Sequence, residues 1–270
     1  MLLTAAKLAL APVLIVQGRR VRRLALRLPE AAGARAAVAG SGARPLRLLI
    51  VGDSATAGVG VARQRDALAG RLAAHLSSRL GTETHRVHWR LVARTGATTA
   101  DALVLLDETA RARRLQADVA VVGLGVNDVT GQVPPARWLR TLETLVQRLE
   151  QRHGVQLTVV SGLPPMHLFP ALPQPLRWFL GASARRHDRA LHAWARSRPA
   201  TVVAPMPALT DPALMAADGF HPGPAACNVW ADALASTIVD ALAPTLADAP
   251  SPTLADTSPP TLADTPSPHV

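Results

Sequence analysis

Apolar runs of strand length alternate along the chain with segments whose apolar residues recur at helical spacing. The first such run is residues 48–51, and the later ones are residues 86–92, 118–124, 156–161 and 201–204. Helical spacing is found in residues 60–80, 99–114, 136–152 and 224–242. Strands that alternate with helices indicate βαβ crossovers and a sheet covered on both faces. The pattern predicts a three-layer α/β/α sandwich with a mostly parallel sheet of about five strands.

The beginning of the chain departs from this alternation. Residues 2–16 are apolar but include Lys7 and Pro12, and they are fewer than the roughly 18–20 residues that a spanning helix needs. Five arginines follow within residues 19–27, on a stretch whose apolar residues keep helical spacing. Residues 1–29 therefore fit an interfacial anchor on an anionic membrane surface. A plain helix docked on the domain fits them as well.

The order of charge and apolar residues also bears on location. An export signal carries its positive charge before the apolar part, whereas here the arginines come after it. Arginines in this place would keep the following domain on the cytoplasmic side of a membrane. We expect a cytoplasmic protein, with attachment to the inner face of the membrane left open and export as the weaker alternative.

Two further segments are poor in large apolar residues. Residues 30–44 are rich in small residues, which predicts a flexible linker. Residues 245–252, 253–260 and 261–268 are near copies of one Pro-rich octad. Because this composition cannot form a core, residues 244–270 are predicted to be a disordered tail. The folded domain is then residues 45–243.

Composition narrows the function classes. The 270 residues carry a net charge of +10, which is typical of proteins that contact nucleic acid or anionic membranes. The arginines are scattered, however, and aromatic residues make up only 3% of the chain, so no nucleic-acid partner is expected. The single cysteine, Cys227, excludes an internal disulfide and favours a place in the core. No His spacing indicates a metal site, and no cofactor is expected.

Candidate chemistry lies where the predicted strands end. The first three strands end in small polar turns at residues 52–54, 95–97 and 125–128, and open α/β sheets bind ligands at this edge. Asp218 precedes His221 by three residues, so its carboxylate can reach Nδ1 of the ring and leave Nε2 facing the edge. A hydroxyl nucleophile needs such a base and such an orienting group. Ser54 is the candidate nucleophile.

An oxyanion needs donors at the same edge. The backbone N–H of Gly96, the carboxamide of Asn127 and the N–H of Ser54 itself are suitable. Each assignment has a structural alternative, because Ser54 could cap a helix, Asn127 could shape a turn and His221 could be an ordinary loop histidine. Asp53 is expected to accept hydrogen bonds from local backbone amides.

In their order along the chain, these three turns and the Asp218–His221 pair resemble the SGNH (GDSL-type) hydrolase family over about residues 46–242. The resemblance implies a flavodoxin-like fold and a serine esterase or lipase-like hydrolase. Ser54 would be its nucleophile, Gly96 and Asn127 its oxyanion donors, and His221 its general base, oriented by Asp218. Ala55 stands where the family has Leu. The chain lacks Gly-x-Ser-x-Gly, so it differs from the α/β-hydrolases.

The loop after the fourth strand bears on the substrate. Four of its apolar residues are expected to line an acyl-chain groove: Met166, Leu168, Phe169 and Leu172. Such a groove predicts small-molecule esters or thioesters, or lipids, with medium to long acyl chains. This loop and residues 94–101 are similar to a branch of lipase-like enzymes of long-chain N-acyl amino acid clusters.

Three alternatives to this substrate prediction stay open. The loop residues could be ordinary core, since large apolar side chains are usually buried. The chain could also be an acetylesterase acting on carbohydrates, or a catalytically silent, membrane-associated acyl-binding module.

Overall fold

A six-stranded sheet forms the centre of the computed structural model, which describes residues 2–207 and 211–247. Its strands are β1 (Ala36–Ala39), β2 (Arg44–Gly52), β3 (His85–Ala93), β4 (Val119–Gly123), β5 (Leu157–Ser161) and β6 (Thr201–Ala204). The strand order is β1-β3-β2-β4-β5-β6, in which β1 runs antiparallel to β3 and every other pair is parallel. The predicted mostly parallel α/β architecture is confirmed.

Helices cover both faces of the sheet. They are α1 (Leu2–Leu24), α2 (Ser54–Ala57), α3 (Leu68–Leu80), α4 (Thr99–Ala112), α5 (Val126–Thr130), α6 (Pro135–His153), α7 (Leu176–Ala195) and α8 (Pro224–Ala247). Alternate residues of β4 point to opposite faces, so Val119 and Val121 share a core with α3 and α8. Ala120 and Val122 share the other core with α4, α6 and α7. β4 is therefore buried on both sides.

The strand order reverses next to β2. The chain goes from β2 to β3 on one side and then to β4 on the other, which creates a switch point at the carboxyl ends of β2 and β4. Ser54 follows β2 directly, and Asn127 follows β4 by four residues. The fold thus places two predicted site residues on either side of the crevice where such sheets bind ligands.

Part of the predicted linker is a strand. Residues 36–39 form β1, which pairs with β3 so that Ala36 lies opposite Arg90 and Ala39 opposite Val87. Just before it, the Glu30 carboxylate accepts hydrogen bonds of 2.8 and 2.7 Å from the N–H and hydroxyl of Thr95. The flexible-linker prediction for residues 30–44 is wrong here. Backbone hydrogen bonds alone can hold a short edge strand, so small side chains did not reveal it.

The segment after β5 is more ordered than a loop. It contains a short 3₁₀ turn, Met166–Leu168, and then α7. Five prolines between residues 164 and 175 obscured the start of this helix in the sequence pattern. Two other boundaries also differ, since the helix predicted from residue 60 begins at Leu68 and α8 extends to Ala247, into the predicted tail. The remainder of the octad repeats lies outside the described residues.

The N-terminal helix α1 lies against α7. The side chain of Leu14 on α1 is buried in the core. The side-chain amide of Gln17 joins α1 to the start of α7 through both its NH₂ group and its oxygen. The Gln17 Nε2 donates to the carbonyl oxygen of Gln174 at 2.7 Å, and its Oε1 accepts from the N–H of Leu176 at 3.1 Å. Within the described residues, no helix combines the length and the apolar composition needed to cross a bilayer.

Candidate active site

Ser54 is the first residue of the short helix α2, directly after β2. The Asp53 side chain caps this helix by accepting a 3.1 Å hydrogen bond from the N–H of Ala55. The turn requires Gly52, because a Cβ there would lie 2.2 Å from the hydroxyl oxygen of Thr56. At 9% exposure, the Ser54 side chain faces a cavity rather than open solvent.

The structure brings Ser54, His221 and Asp218 together. His221 Nε2 lies 2.9 Å from the Ser54 hydroxyl oxygen, although 167 residues separate the two in sequence. On the other side of the ring, Nδ1 lies 2.5 Å from Asp218 Oδ2. A hydroxyl, an imidazole and a carboxylate in this sequence of contacts have the geometry of an activated nucleophile, its base and the group that orients the base.

The turn before α8 holds Asp218 in place. Its second oxygen, Oδ1, accepts hydrogen bonds of 2.9 Å from the backbone N–H groups of Phe220 and of His221. Burial alone would raise the pKa of Asp218, but the hydrogen bonds from the His221 ring and from these two amides outweigh it and lower the pKa. Asp218 is therefore a stable carboxylate that fixes the ring.

The predicted oxyanion donors lie in adjacent turns. Asn127 Nδ2 donates a 3.0 Å hydrogen bond to the carbonyl oxygen of Ala97, which directly follows Gly96. Gly96 has φ +79, a conformation that side chains disfavour. Among the described residues, the backbone N–H groups of Ser54 and Gly96 have no hydrogen-bond acceptor, so both are available to an incoming oxygen.

Two buried carboxyl groups support these turns. Asp128 Oδ2 accepts hydrogen bonds of 3.0 and 2.9 Å from the N–H and hydroxyl of Thr99 and so joins α5 to the start of α4. Asp53 Oδ2 lies 3.5 Å from Asn127 Nδ2. The interpretation of Asp53 as a local backbone acceptor agrees with its bond to Ala55, and its contact with Asn127 is an addition that the sequence did not reveal.

Asp53 should make stability depend on pH. Burial raises its pKa to about 7, against about 3.9 in an unfolded chain. Between these values the folded state keeps a proton that the unfolded state releases, so stability falls as pH rises through this window. We expect Asp53→Asn, measured against the wild type in urea unfolding, to gain up to about 4 kcal/mol between pH 4 and pH 7.

Asparagine suits this test because it also caps helices. Asp66→Asn, at a partly exposed ion pair with Arg71, is the matched control and should show no comparable gain. A difference between Asp53→Asn and wild type that stays constant across this pH range would contradict the expectation.

An apolar cavity of about 60 Å³ adjoins Ser54 and His221. Leu168 and Phe169 line it, and neither Gly96 nor Asn127 is among its lining residues. Ser54 thus borders the cavity, and the two predicted donors lie outside its lining. This arrangement suits a substrate whose carbonyl oxygen points one way and whose acyl chain points the other.

Two of the predicted groove residues do not reach this cavity. Met166 is fully buried and Leu172 nearly so, and both belong to the hydrophobic core that includes Phe179 of α7. The prediction for these two is wrong, because the segment packs its apolar residues under α7 instead of presenting all of them at the edge of the sheet.

Other lining residues were missed at the sequence level. Ser161 ends β5 at the same edge as Ser54, Met206 follows β6, and Trp230 lies on α8. The end of a strand could have indicated Ser161. Nothing in the local sequence indicates that Trp230, two turns into a helix, faces this cavity.

The remaining candidates behave as structural residues. Cys227 is fully buried, and burial raises the pKa of its thiol to about 12, so it is no nucleophile. Across residues 2–207 and 211–247, no three His, Cys, Asp or Glu side chains come together in a way that could hold a metal ion.

Comparison with known proteins bears on this geometry. The model of the GDSL-like lipase/acylhydrolase family matches residues 50–227, a range that includes Ser54, Gly96, Asn127, Asp218 and His221. No functionally curated protein sequence matches the chain.

Solved structures share the fold at low sequence identity. A psychrotrophic esterase, EstA from Pseudoalteromonas sp., solved in a form inhibited by monoethylphosphonate, has a TM-score of 0.53 at 18% identity over 75% of this chain and 99% of its own. A lipase, Lip_vut3 from a goat rumen metagenome, has a TM-score of 0.54 at 19% identity over 73% of this chain and 97% of its own. Est24, a carbohydrate acetylesterase from Sinorhizobium meliloti, has a TM-score of 0.52 at 17% identity over 72% of this chain and 99% of its own. Their activities differ while the fold stays the same, so the substrate must be argued from the site.

Proposed function

The chain belongs to the GDSL-like lipase/acylhydrolase family of ester-cleaving hydrolases, and from that premise we propose that it cleaves carboxylic esters through an acyl-enzyme on Ser54. The 2.9 Å contact between His221 Nε2 and the Ser54 hydroxyl is the observation that supports this most. This contact is informative because the two groups are far apart in sequence. If Ser54 only capped a helix and His221 were an ordinary loop histidine, the fold would not need to bring them together at an edge of the sheet.

In the first step, His221 Nε2 takes the Ser54 proton while the oxygen attacks the ester carbonyl. Asp218 holds the tautomer that leaves Nε2 free and stabilises the imidazolium that forms. The carbonyl oxygen becomes an oxyanion that the N–H groups of Ser54 and Gly96 and the Asn127 carboxamide would bind. The imidazolium then gives its proton to the leaving alcohol, and the acyl group stays on Ser54.

In the second step, water replaces the alcohol. His221 takes a proton from the water, whose oxygen attacks the acyl carbonyl, and the same donors hold the second oxyanion. Collapse returns the proton to Ser54 and releases the carboxylic acid. A thioester fits the same steps, with a thiol as the leaving group.

Asn127→Ala should lower kcat about 10²–10³-fold with little change in KM. The carboxamide would act on the oxyanion and not on the neutral carbonyl, and the loss of one such donor typically costs about 3–4 kcal/mol of barrier. Steady-state kinetics on an aryl ester measures this. The control is Asn228→Ala, which removes a carboxamide on α8 that is hydrogen-bonded to His75 of α3. A drop in kcat that is no larger than the control's would remove Asn127 from the mechanism.

The cavity supports an acyl group of at least medium length as the substrate moiety. Leu168 and Phe169 present apolar surface beside Ser54, and Leu168 remains 40% exposed at the rim, where a longer chain could leave the cavity. Rates on p-nitrophenyl acetate, butyrate, octanoate and dodecanoate test this proposal. We expect kcat/KM to rise above that for acetate with the longer esters.

Two other functions are outcomes of the same experiment. A sharp preference for acetate would favour an acetylesterase, the activity named for Est24. No hydrolysis of any ester by folded protein would favour a silent acyl-binding module.

We also propose that α1 attaches the protein to an anionic membrane surface. The face of α1 away from α7 is apolar along its first part, where Leu8 is 74% and Ile15 52% exposed. Four exposed arginines follow it on the same helix: Arg19, Arg20, Arg22 and Arg23. Residues 1–29 contain no acidic residue, and an apolar face next to a basic one binds the interface of anionic bilayers.

Binding to vesicles tests this attachment. We expect the full chain to sediment with vesicles that contain phosphatidylglycerol and much less with phosphatidylcholine alone. Changing these four arginines to Gln should weaken binding at least tenfold, because each basic residue near an anionic surface contributes about 1 kcal/mol.

A control with the same loss of charge separates this from general basicity. It changes four exposed arginines on α6 and at or near the end of α4 to Gln: Arg111, Arg113, Arg137 and Arg140. Equal weakening by the two sets of changes would contradict the role of α1.

A further inference from the structure

The cavity beside Ser54 ends at a tryptophan on α8. Its lining runs from Leu168, which is 40% exposed, to Ser161 and Trp230, which are 3% and 4% exposed. Leu168 therefore lies at the rim and Trp230 at the buried end. Phe169 packs edge-on against Phe220 with ring centres 5.0 Å apart, and Phe220 packs edge-on against the His221 ring at 5.4 Å.

The ring of Trp230 is fixed in position. Its indole Nε1 donates a 2.9 Å hydrogen bond to the Ser161 hydroxyl oxygen. The far edge of the ring lies 3.5 Å from where a Cβ on Gly123 would stand, so the ring packs against the end of β4. The Met206 sulfur, 3.9 Å from the same Ser161 oxygen, borders this end of the cavity. A hydrogen-bonded and packed indole is a rigid wall.

We infer that Trp230 is a specificity-determining residue, which limits how many acyl carbons the cavity encloses. This inference rests on the proposed esterase function. The carbonyl carbon would lie at Ser54, and the acyl chain would extend from there toward the indole. The indole offers the acyl chain no free polar group, because its N–H is already hydrogen-bonded to Ser161.

The size of the cavity gives the scale of this limit. The cavity is small, at about 60 Å³, so it has room for only a few carbon atoms of an acyl chain. An acyl chain with more carbons than this would not fit in front of the indole, and it would have to extend over Leu168 at the rim instead. Trp230→Leu removes about six heavy atoms from the wall and leaves their space in the cavity.

Chain-length profiles of three variants test the inference. Trp230→Leu should raise the ratio of kcat/KM for decanoate to that for butyrate at least tenfold, since one further enclosed methylene changes discrimination about 10-fold or more. Met206→Ala, in a half-buried loop position, should shift the ratio in the same direction. Trp89→Leu is the matched control, because Trp89 is a buried tryptophan of β3 in the same core cluster but does not line the cavity.

The outcomes separate this inference from the proposed function. Suppose that the wild-type protein hydrolyses esters but that the decanoate-to-butyrate ratio is the same in the Trp230 and Met206 variants as in the Trp89 control. This result would overturn the inference and leave the proposed function intact. Absence of ester hydrolysis in the wild type would count against the proposed function. If Trp230→Leu does not fold, Trp230→Phe and Met206→Ala test the inference in its place. We expect a smaller rise in the decanoate-to-butyrate ratio from them, and an unchanged ratio would contradict the inference.

Discussion

Ser54→Ala should abolish ester hydrolysis, with kcat falling roughly 10⁴–10⁶-fold, as when other serine hydrolases lose a member of the triad. The hydroxyl is the only group within hydrogen-bond reach of His221 Nε2 among the described residues, so its loss leaves the base with no nucleophile to activate. Binding of substrate should persist, because the cavity and the oxyanion donors remain. Release of p-nitrophenol from a butyrate ester by the purified variant measures the effect.

Folding is a small concern for this variant. Ser54 begins α2, but the cap of that helix comes from Asp53, so thermal unfolding of Ser54→Ala should match that of the wild type. Ser183→Ala changes another buried serine, on α7, and should keep wild-type turnover. Turnover in Ser54→Ala at the level of this control would refute the assignment of the nucleophile.

Asp218→Asn should lower kcat about 10⁴-fold while the fold stays intact. Asparagine keeps one oxygen for the two backbone N–H groups that Oδ1 now binds. It then presents its NH₂ group to Nδ1 of His221, and this stabilises the tautomer whose proton is on Nε2. A base in this tautomer cannot take the proton from Ser54, so the loss should be in kcat and not in KM.

Asp188→Asn offers a matched control. Asp188 Oδ1 also accepts a hydrogen bond from a backbone N–H, that of Leu163 at 2.9 Å, but it makes no contact with the triad. We expect near wild-type kcat from Asp188→Asn. Similar small losses in both variants would show that Asp218 does not orient the base.

The site could be predicted from sequence because its residues lie where elements end. Ser54 and Asn127 follow buried apolar strands, and the spacing of Asp218 and His221 fits within one turn. Parallel strands bring such ends to one edge of a sheet, so local patterns were enough to group residues that are far apart in sequence.

Other features depend on packing that local patterns do not encode. Met166 and Leu172 look like groove residues from composition, but α7 covers them, and the prolines before Leu176 hid that helix. Strand β1 is held by its backbone pairing with β3, which leaves no apolar signature. Trp230 reaches the cavity only because α8 packs beneath the end of β4.

Covalent labelling tests the central claim most directly, since it depends on the nucleophile and its base together. In this reaction the Ser54 oxygen attacks the phosphorus of a fluorophosphonate, and fluoride leaves. Intact mass and peptide mapping of the labelled wild-type protein should show one phosphonyl group, on the peptide that contains Ser54, and none in Ser54→Ala. A protein that hydrolyses esters yet carries the label on another residue, or carries none, would contradict this account.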